Sequence, residues 1–283
     1  MTLRETLAAA RERLVAAGVA PDEAAIDVSL FARVILGWDR ARLITESEAP
    51  APAALEPSFS AWVARRAAHE PAAYITGIRE FYGLDMETSP AALVPRPETE
   101  FIIEAALPLL RAMPRARVAD IGTGTGNIAV TLAHEVPDIG VVATDVSAGA
   151  LALASRNTAR HGVSGRVHLV RTSMLDGVAG PFDLIASNPP YVRELDRRGL
   201  SLVVRHEPEV ALFGGASGLE AIARVLDVTQ DKLAPGGWLI MEFGLGQEDE
   251  VRALTAARPW LRIDRMIPDL QGIPRTAVIQ KGL

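Results

Sequence analysis

The chain has 283 residues, 49% hydrophobic and 23% charged, a balance that builds one sizeable core with a smaller companion and excludes disordered and fibrous classes. It has no cysteine, which excludes disulfide frameworks and thiolate metal sites and fits a reducing compartment, so a cytoplasmic protein is expected. The net charge of -6, from 29 basic and 35 acidic residues, disfavours affinity built on neutralising phosphates, and no direct sequence-specific nucleic-acid binding is expected.

The first elements are helical. Thr2 with Glu5 forms a capping-box pattern, and Leu3, Leu7 and Leu14 fall at helical spacing. Arg4, Glu5, Arg11, Glu12 and Arg13 break what would otherwise be an apolar leader, and no later stretch reaches membrane-spanning length, so no membrane association is expected. A second helix is predicted over 22–36. Pro50, Pro52 and Pro57 interrupt the pattern before Ser58 opens another helix through His69. Residues 1–71 therefore read as a small N-terminal helical domain suited to recognising a partner. Residues 72–95, with Tyr74-Ile75-Thr76-Gly77 and Phe81-Tyr82-Gly83, read as a β-hairpin linker.

From residue 96 to 283 short apolar strands alternate with helices, the signature of an α/β domain with a mostly parallel sheet. Strands are predicted over 118–121, 141–146, 167–170, 182–187 and 238–243, followed by a closing pair over 261–267 and 276–280. Helices are predicted over 127–135, 148–161, 218–233 and 248–257.

The first of these strands runs into Asp120-Ile121-Gly122-Thr123-Gly124-Thr125-Gly126, where glycines permit a sharp turn and let a ligand approach the backbone at a helix start. Asp145, at the end of the next strand, stands where a carboxylate accepts both ribose hydroxyls. Gly124, Gly126 and Ala129 also satisfy the dinucleotide pattern, so a nicotinamide-dependent oxidoreductase or a nucleotide-binding module stays open on this loop alone.

Asn188-Pro189-Pro190-Tyr191 discriminates. It follows the fourth strand, at the sheet edge where open α/β folds hold their ligands. Two consecutive prolines stiffen the turn and withdraw its N–H donors, leaving carbonyl acceptors beside the Asn188 side chain. A substrate NH2 group has two donors, which the Asn188 side-chain oxygen and the Pro189 carbonyl can engage while the Tyr191 ring packs on the planar group. An amide or aromatic amine nitrogen is a poor nucleophile because its lone pair is delocalised. Acceptors on both N–H bonds stabilise the charge that develops as that nitrogen takes a methyl from a sulfonium, so the turn points to methylation of a planar nitrogen, amide or adenine.

With these residues in hand, the chain resembles the release-factor glutamine methyltransferases over nearly its whole length. The resemblance rests on Tyr74-Ile75-Thr76-Gly77, Glu80-Phe81-Tyr82-Gly83, Val94-Pro95-Arg96-Pro97-Glu98-Thr99-Glu100, the Gly122 to Gly126 loop, Asn188-Pro189-Pro190-Tyr191, Glu207-Pro208-Glu209 and Glu242-Phe243-Gly244 with Gln247. It implies a Rossmann-like class I methyltransferase with a mostly parallel seven-stranded sheet and a small N-terminal helical domain. It implies S-adenosyl-L-methionine as cofactor, leaving as S-adenosyl-L-homocysteine, and peptide chain release factors as partners, methylated on the glutamine of a Gly-Gly-Gln motif. Gly122, Thr123, Gly124, Thr125, Gly126, Asp145 and Asn188 would hold the cofactor, residues 188–191 the glutamine, and Phe81, Arg96 and Thr99 would enclose the site. Asn188 and Pro189 would be catalytic. After the third strand the chain departs from the family pattern: Arg171-Thr172-Ser173-Met174 stands where many relatives place an acidic residue and an aromatic, so Thr172 or Ser173 would give the adenine a weaker hydrogen bond and Met174 or Leu175 an apolar cover. Adenine methyltransferases of nucleic acid share the Asn-Pro-Pro-Tyr turn and are the competing reading. Glu242 ends a central strand near the expected pocket. The five histidines show no metal-ligand spacing, and no metal site is expected.

Overall fold

Thr2 caps the first helix, α1 (Leu3–Ala16): its Oγ1 accepts from the Glu5 amide at 3.2 Å while its own amide donates to Glu5 Oε2 at 2.8 Å. Proline at the first position opens α2 (Pro21–Leu36), and Gly37, at φ 64°, closes it in the left-handed conformation glycine favours. α3 (Arg40–Thr45), α4 (Ser58–Ala67) and α5 (Ala72–Thr76) complete this helical part, whose core joins Leu3, Leu14, Phe31, Leu55 and Phe59. Two elements differ from the sequence expectation. Residues 40–45 form a helix capped by Asp39, whose Oδ1 accepts from the Arg42 amide at 2.7 Å. Residues 74–76 are helical rather than extended, in a short turn bounded by Pro71 and Gly77.

Arg66 of α4 is buried against α2. Its Nε donates to Asp27 Oδ2 and its Nη2 to Glu23 Oε1, each at 2.6 Å. Burial pushes the Asp27 carboxyl above its ordinary value in spite of the Arg66 hydrogen bond and charge.

The computed structural model describes residues 1–283 in two units, Met1–Gly77 with Ser201–His206, and Ile78–Leu200 with Glu207–Leu283. The sequence alone ended the helical domain at residue 71 and set residues 72–95 apart; here α5 belongs to the helical unit and the hairpin to the larger one.

The larger unit opens on the antiparallel hairpin β1 (Ile78–Phe81) and β2 (Leu84–Glu87), then α6 (Glu100–Arg111), β3 (Arg117–Ile121), α7 (Asn127–Glu135), β4 (Gly140–Asp145), α8 (Ala148–Arg160), β5 (Val167–Arg171) and β6 (Phe182–Ser187). α9 (Glu220–Lys232), β7 (Leu233–Glu242), α10 (Glu248–Ala256), β8 (Leu261–Pro268) and β9 (Pro274–Lys281) follow. β3 to β9 make one seven-stranded sheet in the order β5-β4-β3-β6-β7-β9-β8, parallel except for β9, which runs against both neighbours. The mostly parallel seven-stranded sheet expected from the sequence is thus present. Strand residues of one parity, such as Val118, Leu184, Ala186 and Ile240, pack with α6 and α7; those of the other, such as Ala119, Ile185, Leu239 and Met241, pack with α9 and α10. The helix α6, absent from the sequence reading, supplies Ile102, Ile103, Ala106 and Leu110 to the first of these cores.

Strand order reverses between β3 and β6, which leaves a crevice at their carboxyl ends. The register aligns what stands there. Ile121 pairs with Thr144 on one side and Ser187 on the other, and Ser187 pairs with Met241. Asp145, Gly122, Asn188 and Glu242 each lie one residue beyond that row, on four adjacent strands.

Arg66→Ala leaves Asp27 buried without its cation and is expected to destabilise the protein by about 3 kcal/mol or more, read from denaturant unfolding, whereas Arg66→Met with Asp27→Leu recovers most of the loss.

Candidate active site

A cavity of about 420 Å³ opens at this crevice, lined by the glycine loop, Asp145, the Asn-Pro-Pro turn and a strap from Ala91 to Arg96. The loop is built from left-handed glycines, Gly122 at φ 74°, Gly124 at 56° and Gly126 at 84°. Amides of Gly122 and Thr123 both donate to the Thr144 carbonyl at 2.9 Å, folding the chain back over β4. A Cβ at Gly126 would press on Ala154 at 3.1 Å, so glycine is needed there for helix packing; one at Gly122 would meet only open space, the room a ligand needs.

Two aspartates pin the loop. Asp145 Oδ2 accepts from the Gly124 amide at 2.9 Å and Oδ1 from the Ser147 amide at 2.8 Å, which holds the carboxylate at the cavity wall with lone pairs to spare. Asp120 is fully buried behind the loop. Its Oδ2 accepts from Thr123 Oγ1 at 2.6 Å and from the Ala129 amide at 3.2 Å, while its Oδ1 has no partner. Burial pushes this carboxyl up to about 7, against the lowering effect of those two hydrogen bonds.

On the other side of the crevice, Asn188, Pro189 and Pro190 line the cavity. Asn188 Nδ2 donates to Thr99 Oγ1 at 2.9 Å, and Thr99 Oγ1 donates to Glu242 Oε2 at 2.6 Å. Tyr191 does not line the cavity: its hydroxyl donates to Glu242 Oε1 at 3.0 Å, and the Arg275 guanidinium lies 5.7 Å from its ring centroid. The ring expected to cover a planar substrate instead anchors the turn from behind, because a buried carboxylate needs the hydroxyl. Burial and the Glu242 charge push the Tyr191 hydroxyl far above its ordinary value, which keeps it a donor. Burial also raises the Glu242 carboxyl, and hydrogen bonds from Thr99 and Tyr191 with the Arg275 charge oppose that rise.

The turn is braced by the segment after it. Val192 and Gly214 exchange support through Val192 N to Leu212 O at 2.9 Å and Gly214 N to Val192 O at 3.0 Å. A Cβ on Gly214 would strike the Pro190 carbonyl, and one on Gly218 the Tyr191 carbonyl, so both glycines are required by close approach. Gln247 closes the bracket: its Oε1 accepts from Gly244 N at 2.8 Å and its Nε2 donates to Tyr191 O at 3.1 Å.

Of the other residues singled out in the sequence, Gly126 packs on Ala154 outside the cavity, whereas Thr123, Thr125, Ser173, Arg96 and Thr99 line it with Gly122 and Gly124. Phe81 does not. It is buried in the core with Met86, Ile102 and Ile103, because its strand turns that face onto α6. Three residues have a part that the sequence did not assign, Glu207 among them although its motif was noted. Glu207 accepts from Arg96 Nη2 at 2.5 Å and from the Val94 amide at 3.3 Å, tying the strap down. Asn157, buried in α8, donates to the carbonyls of Thr125 and Glu87 and accepts from the Glu87 amide. Arg224 of α9 reaches the cavity wall, where its Nη2 donates to Ser173 Oγ at 2.6 Å. A lone polar residue inside an apolar helix face was the available signal for Asn157.

The sheet order, the glycine loop after β3 and the Asn-Pro-Pro-Tyr turn after β6 define a class I methyltransferase, an enzyme that takes S-adenosyl-L-methionine as methyl donor. The Methyltransferase small domain family matches residues 102–205, and the PrmC N-terminal domain family matches residues 5–77. The catalytic domain of hMettl16, solved in complex with the MAT2A 3'UTR hairpin 1, shares the fold with a TM-score of 0.60 at 17% identity, over 81% of this chain and 92% of that one. The release factor glutamine methyltransferase of Koribacter versatilis is 40% identical over 284 residues, covering 99% of both chains, and that of Bradyrhizobium diazoefficiens is 42% identical over 290 residues, covering 98% of this chain and 93% of the relative. The chain belongs to the release factor glutamine methyltransferase family. No helix is long and apolar enough to cross a membrane.

Asp120 gives the site a pH signature. Its ordinary value is 3.8 and its folded value about 7, so between about pH 4 and 7 the folded chain keeps a proton that the unfolded chain has released. The stability that proton confers is complete below pH 4 and is lost as pH rises to 7. The stability difference between the unaltered chain and Asp120→Asn, from urea titrations, is expected to change across that window and to level off above it; a constant difference would contradict the assignment.

Proposed function

We propose that this enzyme methylates the side-chain amide nitrogen of the glutamine in the Gly-Gly-Gln motif of peptide chain release factors, and so modulates translation termination. The observation that carries the reading is the orientation of Asn188: its Nδ2 is engaged by Thr99, which leaves its Oδ1 as an acceptor beside Pro189 at the cavity. The names of its relatives supply the protein substrate, and the acidic net charge favours it over nucleic acid.

The cavity fits the cofactor. Open space at Gly122, lone pairs on Asp145 and the apolar Leu93, Val146, Ala150 and Met174 suit a sulfonium nucleoside. When bound, S-adenosyl-L-methionine supplies an electrophilic methyl and leaves as S-adenosyl-L-homocysteine. Gly122, Thr123, Gly124 and Thr125 would give it a backbone surface whose turn Gly126 completes, Asp145 would accept from its ribose hydroxyls, Ser173 and Arg224 would stand at its adenine, and Arg96 and Thr99 would close the opposite wall. Asn188 Oδ1 and the Pro189 carbonyl accept the two N–H bonds of the glutamine amide. Those acceptors stabilise the positive charge that grows on nitrogen, so no side chain has to act as a general base in the transfer, and the surplus N–H proton passes to water once the methyl is in place. Pro190 and Tyr191 hold the turn rigid. Residues 1–71 serve to recognise the substrate protein.

Labelled methyl is expected to pass to a release factor and to vanish when its motif glutamine is replaced; no transfer to that protein would overturn the reading. Asn188→Ala is expected to lower kcat by about 100-fold with little change in cofactor affinity. Asp145→Ala instead weakens cofactor binding by about 10-fold or more, measured by calorimetry, because charged acceptors are lost.

A further inference from the structure

We infer that Thr99 and Glu242 are positioning residues that decide which end of the Asn188 amide faces the substrate. The inference rests on the reading that Asn188 Oδ1 receives the glutamine amide. An asparagine side chain has no strong intrinsic preference between its two amide orientations, since its terminal torsion is broad and roughly two-fold. In one orientation it offers the substrate NH2 an acceptor. In the other it offers a second NH2, donor against donor, and the acceptor pair that supports methyl transfer is broken.

The relay removes the choice. Glu242 lies at the end of β7 with no exposed surface, and both of its oxygens act as acceptors. Its Oε1 is taken by the Tyr191 hydroxyl and its Oε2 by the Thr99 hydroxyl. A threonine hydroxyl has a single proton, and Thr99 spends it on Glu242. What Thr99 turns toward Asn188 at 2.9 Å is therefore a lone pair, which demands a donor. Asn188 must present Nδ2 there, and its Oδ1 is left for the substrate. Thr99 is itself 1% exposed, so solvent does not compete for its hydroxyl. Burial raises the Glu242 carboxyl, and the hydrogen bonds from Thr99 and Tyr191 oppose that rise together with the charge of Arg275, whose Nη2 stands 3.5 Å from the Tyr191 hydroxyl. The sheet register places the partners: Ser187 pairs with Met241, so the residues after them, Asn188 and Glu242, emerge side by side.

Thr99→Val keeps the shape and deletes the hydroxyl; Thr99→Ser keeps the hydroxyl; Glu242→Gln leaves one acceptor for two hydroxyl donors. Thr99→Val and Glu242→Gln are expected to lower kcat toward a release factor by about 30-fold while the dissociation constant of S-adenosyl-L-methionine moves by less than about threefold, and Thr99→Ser is expected to turn over about tenfold faster than Thr99→Val. Equal rates for the serine and valine variants, or cofactor affinity falling in step with kcat, would overturn the inference. A second readout needs no substrate. The Asn188 side-chain NH2 protons, assigned by their loss in Asn188→Asp, should exchange with water about tenfold faster in Thr99→Val than in the unaltered chain, and equal exchange would also overturn it. Failure of the unaltered enzyme to label a release factor, with the exchange difference present, would sink the proposed substrate and leave the positioning role standing.

Discussion

Everything at the site depends on one row of backbone pairing. Thr144, Ile121, Ser187 and Met241 stand opposite one another across β4, β3, β6 and β7; β3 and β6 end at this row, and β4 and β7 end one residue later, at Asp145 and Glu242. Asp145, the start of the glycine loop, Asn188 and Glu242 are thereby delivered to one edge without any loop having to find the others. Because strand side chains alternate faces, a slip of one residue between β6 and β7 would send Glu242 to the α9 face and leave Asn188 with no relay. Burial enforces the register, since Ala119, Ile185 and Leu239 on one face and Val118, Leu184 and Ile240 on the other are all without exposed surface.

The loops at that edge are fastened by buried acids rather than by apolar packing alone. Asp120 holds Thr123 and the start of α7, Glu242 holds Thr99 and Tyr191, and Glu207 holds Arg96 and Val94. Each carboxyl is raised by its burial, a sign that taking it out of water costs stability. Breaking any of them would leave donors aimed at nothing, so the arrangement is rigid and specific even where it is not maximally stable. The same logic places Tyr191. Its hydroxyl satisfies Glu242, and the stiffness of the two prolines passes that anchorage to Asn188.

The sequence made local patterns legible and left long-range partners hidden. The glycine loop, the proline turn and the apolar strands announce themselves within a few residues, and the sheet follows from their alternation with helices. Relatives' motifs pointed to Arg96, Thr99 and Glu242 but not to what they do, because Thr99 meets a partner 143 residues away and Arg96 one 111 residues away. Phe81 was misplaced for a related reason: β1 is too short for alternation to say which face meets the core. Residues 74–76 look extended by composition, yet Pro71 and Gly77 bound a turn of helix that packs Ile75 into the helical core, a tertiary preference overriding a local one. The helix over 100–111 carries a proline at 108 and follows a proline-rich motif, which masked its period.

A locked Asn188 that presents its oxygen, with the Pro189 carbonyl, to the nitrogen being methylated leaves a signature in the bound state. A crystal structure with S-adenosyl-L-homocysteine and a Gly-Gly-Gln peptide tests it most directly. The glutamine amide nitrogen is expected at about 3 Å from both Asn188 Oδ1 and the Pro189 carbonyl oxygen. A glutamine amide bound elsewhere, or one facing Asn188 Nδ2, would contradict it.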